Sequence, residues 1–210
     1  MKTGDNSALS SAIAGFPPSS VDTEILTFRI IVALRDRNWK LANEVIQMMS
    51  GGEDDGYFAY GSVPVPVGCY SILIARLEGE QTGTNSSFAA TRQKLDKKVQ
   101  RMPGHATLLS QLAVVDALLD QKKIAISEAK QAAEMLPIPK DSVDGPNLLL
   151  NLAVVYAWTG ELGLAFETLN SLTNTPSGIH YGELKRDPYW EPLRRDPRFD
   201  KLLAELAPKD

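Results

Sequence analysis

The sequence predicts an all-α fold: an α-α superhelix of about four helix pairs, closed by a short C-terminal cap. Three observations carry this expectation. The string L-S-Q-L-A-V-V-D-A-L-L-D-Q-K-K-I-A, starting at Leu109, returns about forty residues later as L-L-N-L-A-V-V-Y-A-W-T-G-E-L-G-L-A, and self-similarity at such a period marks stacked helix pairs. Pro103, Pro137 and Pro176 each follow the second helix of a unit, where a residue that cannot continue a helix sets where the chain turns back. Between these prolines the apolar residues recur at helical spacing.

Residues 1–20 hold scattered apolar residues and end at Pro17-Pro18, so they read as a flexible leader without a signal-type apolar core. Residues 21–180 are the array and 181–210 the cap. The first helix begins near Ser20 or Asp22, both N-cap residue types, and runs to Arg35 with Ile25, Phe28, Ile31, Val32 and Leu34 along it. Asp36-Arg37-Asn38 is a tight connection. The partner helix spans Trp39 to Met49, and Gly51-Gly52 ends it. Residues 53–61 are acidic and Gly-rich, then aromatic, and form a connector or one extra turn of helix. Pro64 and Pro66 suit the first turn of the next helix, which runs to Glu78. The polar loop G-E-Q-T-G-T-N follows, and Ser86 or Ser87 opens a helix to Arg101 with Phe88, Leu95, Val99 and Met102 on its apolar stripe.

In the third unit Leu109, Leu112 and Ala113 lie on the first helix and Ala125, Ala129 and Ala132 on the second, closed by Pro137. In the fourth, Leu149, Leu152, Ala153, Tyr156 and Gly160 are followed by Ala165, Leu169 and Leu172. On these residues the chain resembles the tetratricopeptide repeat family, in which small residues sit where paired helices cross and a proline closes the repeat. The first unit fits more loosely through Ile30, Ala33, Ala42, Ile46 and Met49. The second departs most, with a longer inter-helix loop and lysines near the expected small positions.

A second likeness lies in L-P-I-P-K-D-S-V-D-G-P-N-L-L-L-N-L-A-V-V-Y-A-W-T-G-E and Y-G-E-L-K-R-D-P-Y-W-E-P-L-R-R-D-P-R-F-D-K-L-L. These look like the C-terminal ends of tetratricopeptide regions that lie behind bacterial Ser/Thr kinase, class III adenylate cyclase or winged-helix regulator domains. The resemblance covers about residues 102–203. It implies a C-terminal sensor or scaffold region of a larger protein and carries over no catalytic residue.

Composition narrows the function classes. A net charge of −4 with no polybasic tail argues against direct nucleic-acid or membrane-surface binding. No apolar run approaches the length of a membrane span. The single cysteine, Cys69, stands in the apolar run V-G-C-Y-S-I-L-I and reads as a small buried hydrophobe. His105 and His180 are the only histidines, and no Cys/His spacing supplies a zinc set. The expectation is no cofactor, no metal and no catalytic residue.

The segment D-P-Y-W-E-P-L-R-R-D-P-R-F-D admits two readings. Asp187, Glu191 and Asp196 form a carboxylate cluster for acid–base work or a cation, or each Asp-Pro is an N-cap with proline at the first helical position. In the second reading Trp190, Leu193, Phe199 and Leu202 cover the open end of the stack, which terminal repeats require. Arg194, Arg195 and Arg198 then pair with these acids or face solvent, the alternative being an anion clamp. The helix R-Q-K-L-D-K-K-V-Q-R reads as a solvated outer face or a site for an acidic partner.

The remaining candidate is a concave groove lined by the first helix of each pair. Counting along the repeats places Arg35, with Thr27 and Ile31, in the first unit, Ser110, Val114 and Leu118, with Thr107, in the third, and Asn147, Leu150, Val154 and Trp158 in the fourth. Exposed apolar residues there would dock a peptide, a neighbouring domain or a second copy. The alternative is that they pack against neighbouring helices. The expected function is a non-enzymatic protein-protein interaction module in the cytoplasm. Its partner would be a protein or peptide, its own N-terminal domain in a longer chain, or a homo-oligomer. Self-association and a carboxylate enzyme built on residues 183–200 are the competing classes.

Overall fold

Four turns set the architecture. At Arg37, Gly79, Asp120 and Gly160 the backbone enters the left-handed region, with φ of 57, 84, 61 and 83°. In each case the next residue's N–H reaches back to a carbonyl five residues earlier: Asn38 to Ala33, Glu80 to Ala75, Gln121 to Asp116 and Glu161 to Tyr156. This is the helix-ending motif in which a left-handed residue lets the last free carbonyls find donors. It recurs about every forty residues, a repeat written in the backbone. Glycine takes this conformation at no steric cost, whereas Arg37 and Asp120 adopt it against their own Cβ atoms.

The computed structural model describes residues 5, 7–49, 57–58 and 65–208. In chain order its helices are α1 (Ser7–Ala14), α2 (Thr23–Arg35), α3 (Trp39–Met49), α4 (Val67–Leu77), α5 (Ser86–Arg101), α6 (Ala106–Leu118), α7 (Lys122–Met135), α8 (Asp144–Trp158), α9 (Leu162–Leu172), α10 (Tyr181–Arg186) and α11 (Pro197–Leu206). Short 3-10 segments occupy Thr82–Thr84 and Pro188–Leu193. A two-residue antiparallel ladder pairs β1 (Tyr57–Phe58) with β2 (Val65–Pro66) ahead of α4. The fold is all-α, with helices packed in adjacent pairs.

Local chemistry explains where the helices start. Asp22 caps α2 by accepting from the N–H groups of Glu24 and Ile25. Asn38 accepts from the N–H of Leu41 at the head of α3, Asn85 from Ser87 at the head of α5, and the Nδ1 of His105 from Leu108 at the head of α6. The expected leader carries α1, which packs on α2. Arg29 fastens the stretch after α1: its guanidinium donates to the carbonyls of Phe16, Pro17, Pro18 and Ser20. Pro66 lies in β2 and not in the first helical turn, with α4 beginning at Val67. Pro64 and most of the 53–61 connector fall outside the described residues.

Packing follows the repeat. α6 lies against α7, α8, α5 and α4, and α8 against α7, α9 and the segment Pro188–Leu193. Small residues hold the crossings: Ala42, Ala113, Ala125, Ala132, Ala153 and Ala165 have no exposed surface. From Leu108 on, every residue of α6 is buried, and α8 is buried from Leu150 to Ala157, so these two are inner helices. The second unit is the irregular one. Its extra turn, Thr82–Thr84, is anchored where the Thr82 hydroxyl donates to the Leu118 carbonyl at 2.6 Å. Behind that insertion α5 buries Leu95 alone among its residues.

The cap forms as the Asp-Pro pairs dictate. Asp187 accepts from the Tyr189 N–H and Asp196 from the Arg198 N–H, each with proline at the first helical position. Trp190, Leu193, Phe199 and Leu202 are all buried.

Candidate functional site

The C-terminal segment does more than cover one end of the stack, because it meets residues from three separate units. The turn after α2 supplies Arg37, whose guanidinium donates to the main-chain carbonyl of Arg186 at 2.9 Å and to the Glu191 carboxylate at 3.0 Å. α4 supplies Tyr70, tilted against Tyr189 with ring centroids 6.3 Å apart. α8 supplies Trp158, whose indole N–H donates to the Tyr189 carbonyl at 2.9 Å. Tyr189 and Trp190 thereby enter a cleft where they are 0% and 1% exposed.

Electrostatics of the cleft centre on Asp187, which is buried. Burial pushes its carboxyl up to about 7, and the charge of Glu183 adds to this. The Tyr189 N–H, Arg35 and Arg37 oppose the rise. Arg194 closes the outer side. It donates to the carbonyls of Lys185 and Asp187 and to the Glu191 carboxylate, and burial pulls its own pKa down, followed by the nearby charge of Arg37.

The expected groove residues divide accordingly. Ser110, Val114, Leu118, Leu150 and Val154 are buried in the packing between inner helices, and Ile31 is buried too. The Ser110 hydroxyl accepts from the Asn151 amide at 2.7 Å, so it links α6 to α8. Asn147, Thr27 and Thr107 are half-buried. Of the two readings open for these residues, groove floor or packing against neighbouring helices, their burial fits the second: α6 stacks on α8 and covers their apolar surface. Arg35 and Trp158 are the two that reach the cleft, one through its charge on Asp187 and one through its indole N–H.

The carboxylates of the cap go to separate partners. Asp187 serves the helix start, Glu191 pairs with Arg37 and Arg194, and Asp196 pairs with Arg198 at 2.7 Å. The Arg198 hydrogen bonds hold Asp196 down to about 2. Among the described residues, no three His, Cys, Asp or Glu side chains gather as a metal set. Sequence reasoning missed Arg37 and Tyr70. The signal for Arg37 was its place in a tight Asp-Arg-Asn turn; nothing in the sequence pointed Tyr70 at the cap.

A second polar cluster joins the middle units. Arg92 of α5 grips the buried Asp116 of α6 with two bonds, at 2.5 and 2.8 Å. Glu128 of α7 lies beside them with its Oε2 buried and its side chain against the Asp116 carboxylate. Burial, and then the charge of Asp116, push the Glu128 carboxyl up to about 8.

Comparison with family models, curated proteins and solved structures finds no match to this chain.

Proposed function

We propose that this chain is a non-enzymatic protein-interaction module, a tetratricopeptide-like array whose cleft holds a short 3-10 turn of polypeptide. The observation that supports this reading is the grip on residues 186–191. Two of the bonds, from Arg37 and Trp158, are aimed at main-chain carbonyls, which is how a receptor holds a peptide whatever its side chains. The likeness of residues 102–203 to C-terminal regions of bacterial signalling proteins supports a regulatory or scaffold setting. Panning a displayed peptide library against the folded chain tests the reading. Enriched peptides that bind in solution are expected; a folded chain that enriches nothing overturns it.

A second reading, self-association, is favoured by the edge formed by α1 and α3. Phe16 and Met48 are both about half exposed there and line a cavity of about 330 Å³ together with Ile13 and Leu41. Light scattering at high concentration is its test. A dimer that Phe16→Asp dissolves would support it, and a monomer would exclude it.

A further inference from the structure

The cap segment is costlier than a lid needs to be. A lid requires apolar surface over the last helices, and Leu193, Phe199 and Leu202 supply that. Residues 187–191 add two polar groups whose burial is unfavourable, although Asp187 also caps the 3-10 segment through the Tyr189 N–H. The Asp187 carboxyl is buried where burial opposes its charge. The Trp190 indole N–H is buried with no hydrogen-bond partner. Against these costs stand contacts of a recognising kind. Arg35 and Arg37 place positive charge opposite Asp187 and Glu191, and Arg37 and Trp158 hold the backbone of the same segment. Charge, aromatic fit and backbone grip thus converge on one short stretch, Asp187-Pro188-Tyr189-Trp190-Glu191.

We propose that this cleft is a docking site for a segment of another protein carrying the same pattern, a carboxylate, a proline, two aromatics and a second carboxylate, with the chain's own segment as the tethered competitor. The inference rests on the interaction-module reading and names the ligand of its cleft. The tether keeps the resident segment at high effective concentration, so an outside ligand gains access only when its own concentration is comparably high or the resident is weakened. The orphaned Trp190 N–H and the buried Asp187 are where the resident is weakest.

The experiment uses the full chain with Tyr189→Ala and Trp190→Ala together, and a fluorescent peptide of residues 185–195 read by anisotropy. The variant is expected to bind this peptide at least about tenfold more tightly than the unaltered chain, whose cleft is filled. Adding Arg37→Glu to the variant is expected to weaken binding by roughly fivefold, and a peptide carrying Glu191→Lys to recover it by opposite-charge pairing. A variant that melts cooperatively yet ignores the peptide overturns the proposal, as does binding indifferent to Arg37→Glu. Light scattering that shows chain dimers in place of peptide uptake assigns the cleft to a second copy and also overturns it. If the double variant does not melt cooperatively, a chain altered only by Glu191→Lys takes its place. It should bind the unaltered peptide more tightly than the parent chain does, and equal binding overturns the proposal. Failure of this peptide while library peptides still bind removes the inference alone; failure of both removes the module reading as well.

Discussion

Single residues decide whether the helices can approach at all. Ala125 and Ala153 have no exposed surface and sit where helices of a pair cross, so a longer side chain has nowhere to go. Arginine at either position would carry an unpaired charge into the core. We expect Ala153→Arg to cost more than about 4 kcal/mol and to abolish the cooperative thermal transition. An unchanged melting temperature would show that the crossing lies elsewhere. The same logic applies to the left-handed turns, with a different outcome. Arg37 and Asp120 keep a conformation that glycine would take more easily, and both side chains are engaged: Arg37 with the cap, Asp120 with Arg76 through two bonds of 2.8 and 2.5 Å. Their identity is explained by what they reach and not by the turn itself.

Between elements, the cluster of Arg92, Asp116 and Glu128 ties α5, α6 and α7 together and makes that junction sensitive to pH. Glu128 has its carboxyl raised from 4.5 to about 8, so the folded chain holds a proton that the unfolded chain releases earlier. Stability from this group is therefore greatest at low pH and falls as pH rises from about 4.5 through about 8. Asp187, raised from 3.8 to about 7, adds a fall in the same direction that ends about one unit lower. Melting curves between pH 5 and 9 should show the decline, and Glu128→Gln should flatten the part above pH 7. A variant with the parent's slope in that range would remove Glu128 as its source. The packing of α5 gives the junction its weakness. Leu95 is its one fully buried residue, Phe88 and Val99 pack on the core half-buried, and the two bonds of Arg92 add to that thin apolar contact.

Across the whole molecule, the cap closes a circuit. In a linear stack each unit touches its neighbours alone, and the ends open first. Here the segment that packs on α8 is also bonded to the turn after α2, so the first and last units share contacts. Arg37→Ala should remove about 1 kcal/mol from both places at once. Hydrogen exchange is expected to quicken together at the amides of the α2–α3 turn and of residues 186–191. Faster exchange in only one of them would show that the two ends open independently.

Much of the architecture was readable in the chain because it is repetitive. The echo of residues 109–125 in 149–165 located α6 to α9, the Asp-Pro pairs located the cap, and Asp22 and Asp196 cap where local hydrogen bonding requires, while the cap of α5 is Asn85 and not Ser86 or Ser87. Periodicity and capping act over a few residues, so the sequence by itself determined most helices from α2 onward and their pairing, but not α1, which lies in the stretch read as a leader. The cleft was different. Val114, Leu118, Leu150 and Val154 read equally well as a groove floor or as core, since helical spacing cannot tell which neighbour covers an apolar face. Only the tertiary structure decided that, by stacking α6 on α8 and by bringing Asp187, Tyr189 and Glu191 to Arg35, Tyr70, Arg37 and Trp158. Residues more than a hundred positions apart meet there, and no local pattern encodes such a meeting.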